Sequence, residues 1–417
     1  MLLSTLDVLR CPYCGGRLEL VRSIFHRASD TEVADGVLGC HCCVFPVVDG
    51  IPVLHLQPQS TTAREQVESG RPELARRTMF GLEDEGQAAI FEAVTASSTA
   101  TYRQTVEAFG PNFEGGYFLY RFSDPTFIVA DAVVRSVAGT VLRPDDRAVD
   151  ICGGSGPLTR SLLGLTEQPP ILADLYFAKI WLARRFTAPG CEGVCCDGNA
   201  PMPFARGGFR FAMCTDAFMY IWTKRQFVGE LERLVDDGAA AHAGAALIGH
   251  THNERTWSPS HGQPLSPEGY ADLFETTPPR IFAEGGLLAD VLEGNGLDLS
   301  RRDSPERLDA DAALTIVATR HPGVFARHDL RTSTHALGEF RLNPLYQPEP
   351  DGSRVRLKLR FPDEEYAQEY AASRRYLPEE ISIERGLLDL LPAEVVPPAL
   401  VELVERRVIL DLPLRYY

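Results

Sequence analysis

The 417 residues include 41 basic and 57 acidic side chains, a formal net charge of −16, with 44% hydrophobic and 24% charged residues. That composition fits a folded chain of two or three domains, and its acidic excess disfavours nucleic acid, whose binding relies on Lys and Arg neutralising phosphates. No apolar run approaches the roughly 18–20 residues of a membrane span, and the N-terminus lacks the charged-then-apolar pattern of a secretory signal. Ten cysteines without such a signal point to thiols or metal ligands, so a cytoplasmic protein with no membrane partner is expected.

The first 56 residues are cysteine-bearing. Cys11-Pro-Tyr-Cys14-Gly-Gly and Cys40-His-Cys-Cys43 form two C-x-x-C pairs with twenty-five residues between them. Four thiolates from such pairs suit a structural Zn2+ with no open coordination position. The expected ligands are Cys11, Cys14, Cys40 and Cys43, with His41 and Cys42 as competitors for a place. Reduced structural cysteines and a redox pair are the alternatives. The flanking stretches LLSTLDVLRCPYCGGRLEL and FPVVDGIPVLHL resemble the small zinc-ribbon family that activates methyltransferases. The resemblance implies a ribbon that covers the apolar surface of a methyltransferase in the same chain.

Residues 57–80 are polar, without apolar periodicity, and read as a linker or a solvated helix. Across 81–320, short apolar runs alternate with helical patterns, as in an α/β domain with a largely parallel sheet. Four runs end in aspartate, at Asp150, Asp174, Asp197 and Asp216. Ligands of a doubly wound sheet bind at the carboxyl ends of its strands, so these acids are expected to face one crevice. A glycine turn, Cys152-Gly-Gly-Ser-Gly156-Pro157, lies between the first of these strands and a predicted helix over LTRSLLGL. Gly154 and Gly156 permit close backbone approach to a ligand. A dinucleotide fingerprint would need Gly or Ala at Thr159, which weighs against NAD.

The run VDICGGSGPLTRSL resembles the D-x-G-x-G-x-G motif of class I S-adenosylmethionine methyltransferases, with Cys152 in place of the first glycine. The resemblance implies a Rossmann-like, doubly wound methyltransferase sheet that binds S-adenosyl-L-methionine through Asp150, Cys152, Gly154 and Gly156. Asp174, eighteen residues past Gly156, is placed to accept the ribose hydroxyls. Asp197 and Gly198 match the segment around the adenine, and Asp216 lies beside the amino-acid portion. A cationic sulfonium suits a crevice lined by acids. Cys152, Cys195, Cys196 and Cys214 read as buried thiols.

Methyl transfer mainly requires an oriented nucleophile, and a hydroxyl acceptor benefits from a base near neutral pKa. His252 is the first candidate, followed by His250 and His261, all at or after the end of the fifth strand; a metal site formed by the three lacks a supporting carboxylate pattern. Before the first strand, Tyr117, Tyr120, Arg121 and Phe122 could lid the cofactor, though aromatics at this spacing also suit a core. Residues 321–417 form a C-terminal α+β extension that could cap the substrate, mediate oligomerisation or brace the ribbon. A homo-oligomer is compatible with the sequence.

The favoured reading is O-methylation of a small molecule such as a sugar or specialised metabolite. An rRNA or tRNA base methyltransferase is disfavoured by the four Arg against six acids in residues 1–56 and by the absence of an amine-methylation motif after Asp216. A non-catalytic binding protein is the third reading, motivated by Cys152.

Overall fold

The computed structural model describes residues 1–21, 23–110, 113, 119–236, 243–258, 262–294, 296–330 and 333–417. Its centre is a seven-stranded sheet: β1 (Ala148–Ile151), β2 (Ile171–Asp174), β3 (Glu192–Cys195), β4 (Phe211–Thr215), β5 (Ala245–His252), β6 (Arg280–Ala283) and β7 (Ala313–Thr319). The spatial order is 3-2-1-4-5-7-6. Strands β1 to β5 run parallel, and β7 is antiparallel to both of its neighbours. Every residue of β1 to β4 is buried, which accounts for their continuous apolar runs. The fold is thus the expected mixed α/β, doubly wound and largely parallel sheet. Strands β1 to β3 are laid down in one direction across the sheet and β4 onward in the other, so the order reverses between β1 and β4, which opens a crevice at their carboxyl ends.

Helices α1 (Pro125–Val141), α2 (Phe177–Leu182), α3 (Lys224–Val235) and α4 (Glu284–Leu292) flank the sheet. The predicted helix after β1 is instead a single 3-10 turn, Thr159–Leu162. Gly164, at φ 79°, follows in the left-handed region that terminates helices. The side chains of Thr159, Arg160 and Ser161 are drawn aside to Asp150, Asp411 and Asp131.

The cysteine-bearing unit shares a core with the sheet, and Met1, Leu9, Leu38 and Phe45 pack in one cluster with Val149, Val194 and Phe204. Its last extended residues lengthen the sheet past β3: Val53 bridges Cys195 in parallel, and Leu54 N–H donates to the Cys195 carbonyl at 2.7 Å. Residues 57–80, read as a linker or solvated helix, form helices Pro58–Glu68 and Pro72–Phe80 with Ala63, Val67 and Ala75 buried. Phe80 joins Phe91, Phe109, Phe177 and Trp181 in an aromatic cluster. The small residues on the buried face explain why no apolar period was visible.

The extension forms two three-stranded sheets over its own core, which includes Phe340, Leu357 and Ile409. Its end returns to the glycine turn. Tyr416 stacks on Tyr102 with ring centroids 4.7 Å apart, and Tyr102 O–H donates to Ser155 Oγ at 2.9 Å. Among the described residues, no helix is long and apolar enough to cross a membrane.

Candidate active site

Asp150 is fully buried near the end of β1. Its Oδ2 accepts from Thr159 Oγ1 at 2.6 Å, whereas Oδ1 has no hydrogen-bond partner. Burial pushes its carboxyl up to about 7, with the Thr159 bond opposing and Asp174 adding to the rise. The turn that follows is tightly constrained. A Cβ on Gly153 would meet Asp150 Oδ2 at 2.5 Å, and one on Gly156 would meet Ala183 Cβ at 2.8 Å.

Asp174 ends β2 and fixes the turn: Gly154 N–H donates to its Oδ2 and Tyr176 N–H to its Oδ1, each at 2.9 Å. Burial raises its pKa, against the pull of Lys179 and these N–H groups. Gly198, after β3, lies against the same turn, since a Cβ there would fall 3.2 Å from Cys152 Sγ. Asp150, Cys152, Gly154, Gly156, Asp174 and Gly198 are therefore brought together. Asp197 accepts from Asn199 N–H at 2.8 Å and helps line a cavity of about 280 Å3 whose other wall is Tyr13, Leu54, His55 and Leu56. The cysteine-bearing unit thus reaches the residues that follow β3.

A second group forms beyond β4 and β5. Arg121, 4% exposed, reaches Asp216 Oδ2 through Nη2 at 2.8 Å and donates to Thr126 Oγ1 through Nη1 at 2.5 Å. Asp216 Oδ1 lies 4.0 Å from His250 Nε2, while His250 Nδ1 is 2.7 Å from Glu284 Oε2 at the start of α4. Glu284 Oε1 accepts from His250 N–H and Thr315 Oγ1. Burial works against the imidazolium, but Glu284 and Asp216 outweigh it, with Arg121 opposing, and the His250 pKa is raised above its ordinary 6.5. For Glu284, burial is likewise overcome by His250 and the hydrogen bonds, and its pKa is lowered. Cys152, Asp216 and His250 have φ of 61°, 56° and 46°. Non-glycine residues held in this region carry strain of about 1–3 kcal/mol each; Cys152 and Asp216 directly follow β1 and β4, and His250 lies at an irregularity two residues before the end of β5.

Other expected residues sit differently. His252 is 4% exposed, its carbonyl accepting from Tyr270 O–H and its ring 5.6 Å from that of His250. His261 and Tyr117 lie outside the described residues. Tyr120 packs edge-on against Tyr366 of the extension at 5.7 Å. Phe122 is core, between Phe127 and Tyr416. Sequence reasoning missed Glu284, Tyr102 and Tyr366. An acid in the first turn of a helix is too common a feature to mark Glu284, and the two tyrosines carry no local signal.

In the cysteine unit, Sγ atoms of Cys11, Cys14, Cys40 and Cys42 lie within 4.8 Å of one another. Cys42 therefore takes the corner expected for Cys43. Cys43 immediately precedes the strand Val44–Val48, and its Sγ lies beside the cluster, 3.4 Å from that of Cys42. The separations Cys11–Cys42, Cys14–Cys40 and Cys40–Cys42 are 3.7, 3.7 and 3.6 Å. A tetrahedron with Zn–S of about 2.3 Å has edges of about 3.8 Å, which these three separations match, and the remaining pairs lie within 4.8 Å.

No family model matches the chain, and no curated protein matches it. Solved structures similar to parts of it are described as methyltransferases. The geranyl diphosphate C-methyltransferase from Streptomyces coelicolor A3(2), in complex with Mg2+, geranyl-S-thiolodiphosphate and S-adenosyl-L-homocysteine, is 15% identical with a TM-score of 0.32, over 44% of this chain and 73% of that one. A SAM-dependent methyltransferase from Aquifex aeolicus is 13% identical with a TM-score of 0.33, over 49% and 97%. A chain from the complex of the Haloferax volcanii Trm112 methyltransferase activator with a protein described as a methyltransferase is 15% identical with a TM-score of 0.35, over 47% and 98%. At these scores the similarities add nothing to what strand order and crevice geometry carry.

Proposed function

We propose that the protein is an S-adenosylmethionine-dependent methyltransferase that methylates a hydroxyl of a small molecule, with His250 as the base. The observation that carries the reading is the convergence, at the strand ends flanking the topological reversal, of Asp150, the glycine turn, Asp174, Asp216 and His250. The buried, unpartnered Asp150 Oδ1 and the surrounding carboxylates suit a cationic ligand without phosphate. Asp174 would hold the ribose hydroxyls, Asp197 the adenine edge, Asp216 the amino group and Arg121 the carboxylate. When bound, the cofactor supplies an electrophilic methyl group on a sulfonium.

His250 Nε2 takes the acceptor hydroxyl proton, and Glu284 steadies the resulting imidazolium through Nδ1. Asp216 at 4.0 Å favours the same charged form. This reading moves the base from His252 to His250, whose ring Nδ1 lies 2.7 Å from Glu284 Oε2. A structural Zn2+ at Cys11, Cys14, Cys40 and Cys42 would hold together the unit that covers the edge of β3.

Calorimetric titration with S-adenosylhomocysteine tests the cofactor assignment. The wild type is expected to bind at micromolar Kd, and Asp174→Ala to weaken binding by about tenfold or more, some 1.4 kcal/mol. Absence of binding by a folded wild type would sink the enzymatic reading and leave a non-catalytic binding protein.

A further inference from the structure

Away from these residues, helix Glu85–Ala96, helix Pro72–Phe80, α2 and the residues after it line a cavity of about 240 Å3. Its lining comprises Arg76, Phe91, Glu92, Thr95, Ala96, Trp181 and Arg185. We propose that this cavity binds a small oxyanion with an apolar or aromatic body, a phosphomonoester or a carboxylate, through Arg76 and Arg185.

The charge arrangement is the first support. Arg185 is half-buried; its Nη2 donates to the Thr95 carbonyl at 2.9 Å, and its Nε is buried with no partner. Arg76, also half-buried, has no hydrogen bond or ion pair among the described residues. Arg415 completes a positive cluster, with Nη2 3.5 Å from the Arg185 carbonyl. Burial, then Arg415 and Arg76, lower the Arg185 pKa, with Asp49 opposing. In a chain of net charge −16, an anion joining this grouping would relieve the repulsion among its guanidinium groups. Glu92 is the acid in the lining, and it is exposed and makes no ion pair with either arginine within 4.0 Å.

The floor is the second support. Phe91 and Trp181 are buried aromatics with centroids 5.8 Å apart, and the Arg185 guanidinium lies 5.2 Å from the Trp181 ring centroid. Trp181 is held in place by Nε1–H donating to Asp49 Oδ2 at 2.6 Å. A rigid apolar floor with convergent guanidinium donors is the usual form of a site for an organic oxyanion.

The proposal does not depend on the methyltransferase reading, and its test is separate. The full chain is titrated calorimetrically with inorganic phosphate, phenyl phosphate and benzoate. Phenyl phosphate or benzoate is expected to bind more tightly than inorganic phosphate, and the stronger of the two identifies the anionic group. Arg76→Gln should weaken that binding by about tenfold or more. The same variant should melt no lower than wild type, because it removes an uncompensated charge, and should bind S-adenosylhomocysteine unchanged. No saturable binding of any probe to wild type, or equal binding by Arg76→Gln, would overturn the proposal. Arg185→Gln provides a second variant, with melting temperature reporting whether it has folded.

Discussion

His250 and Glu284 titrate as neighbours, and the direction of each shift sets a pH dependence. The His250 pKa is raised, so the neutral base forms only above a pH higher than 6.5, and activity should rise with pH through that shifted value. Glu284→Gln removes the main raising influence. Its pH–rate profile should have an acidic limb displaced to lower pH together with reduced kcat, an outcome that mere loss of packing would not produce. Stability follows from the same signs. The raised His250 contributes stability fully present below its ordinary 6.5 and lost as pH rises through the folded value. The lowered Glu284 contributes above its ordinary 4.5 and loses that contribution as pH falls through its folded value. The stability gap between wild type and Glu284→Gln in denaturant titrations should therefore be widest between pH 4.5 and 6.5. At this scale the strand-terminal aspartates were legible because an acid after an apolar run is a local pattern. Glu284 lies thirty-four residues from His250, and no local pattern records such a pairing.

Two elements depart from their sequence patterns for local reasons. C-x-x-C spacing pointed to Cys43, but the four thiols that lie within 4.8 Å of one another are those of Cys11, Cys14, Cys40 and Cys42, with Cys43 Sγ 3.4 Å from Cys42 Sγ. Cys42→Ser should abolish the stoichiometric zinc measured by atomic emission, and Cys43→Ser should retain it; the reverse pattern would restore the spacing-based set. The helix expected after the glycine turn shortens to Thr159–Leu162 because its side chains bond outward and Gly164 ends it. Gly156, at φ 77° and 2.8 Å from Ala183 Cβ if given a Cβ, combines backbone strain with a steric clash. Gly156→Ala should destabilise the protein by about 2–4 kcal/mol in chemical denaturation. Its glycine requirement was readable from the motif, but the identity of the crowding atom was not.

Across the whole molecule, the two appended units are each joined to segments at the carboxyl ends of the sheet strands. The cysteine unit extends β3 and borders Asp197, and the extension stacks Tyr416 on Tyr102, which bonds Ser155 of the glycine turn. Arg160 on the 3-10 turn pairs with Asp411 at 2.6 Å. Tyr416→Ala should cost about 3–5 kcal/mol, as loss of a buried aromatic does, and weaken S-adenosylhomocysteine binding because Tyr102 loses its backing. Unchanged ligand affinity in the folded variant would show that the extension does not support the turn.

The sequence by itself determined the strand runs, the glycine turn, the strand-terminal acids and the paired cysteines, because each is set by residues close together in the chain. Burial on both faces demands continuous apolar strands, and tight turns demand glycine. Tertiary structure alone decided that residues 57–80 pack as helices, that Cys42 joins the thiol cluster, that Glu284 meets His250 and that the C-terminus returns to the glycine turn. Those contacts join positions distant in sequence, where the free energy comes from excluding water and satisfying buried charge between surfaces that only folding brings together.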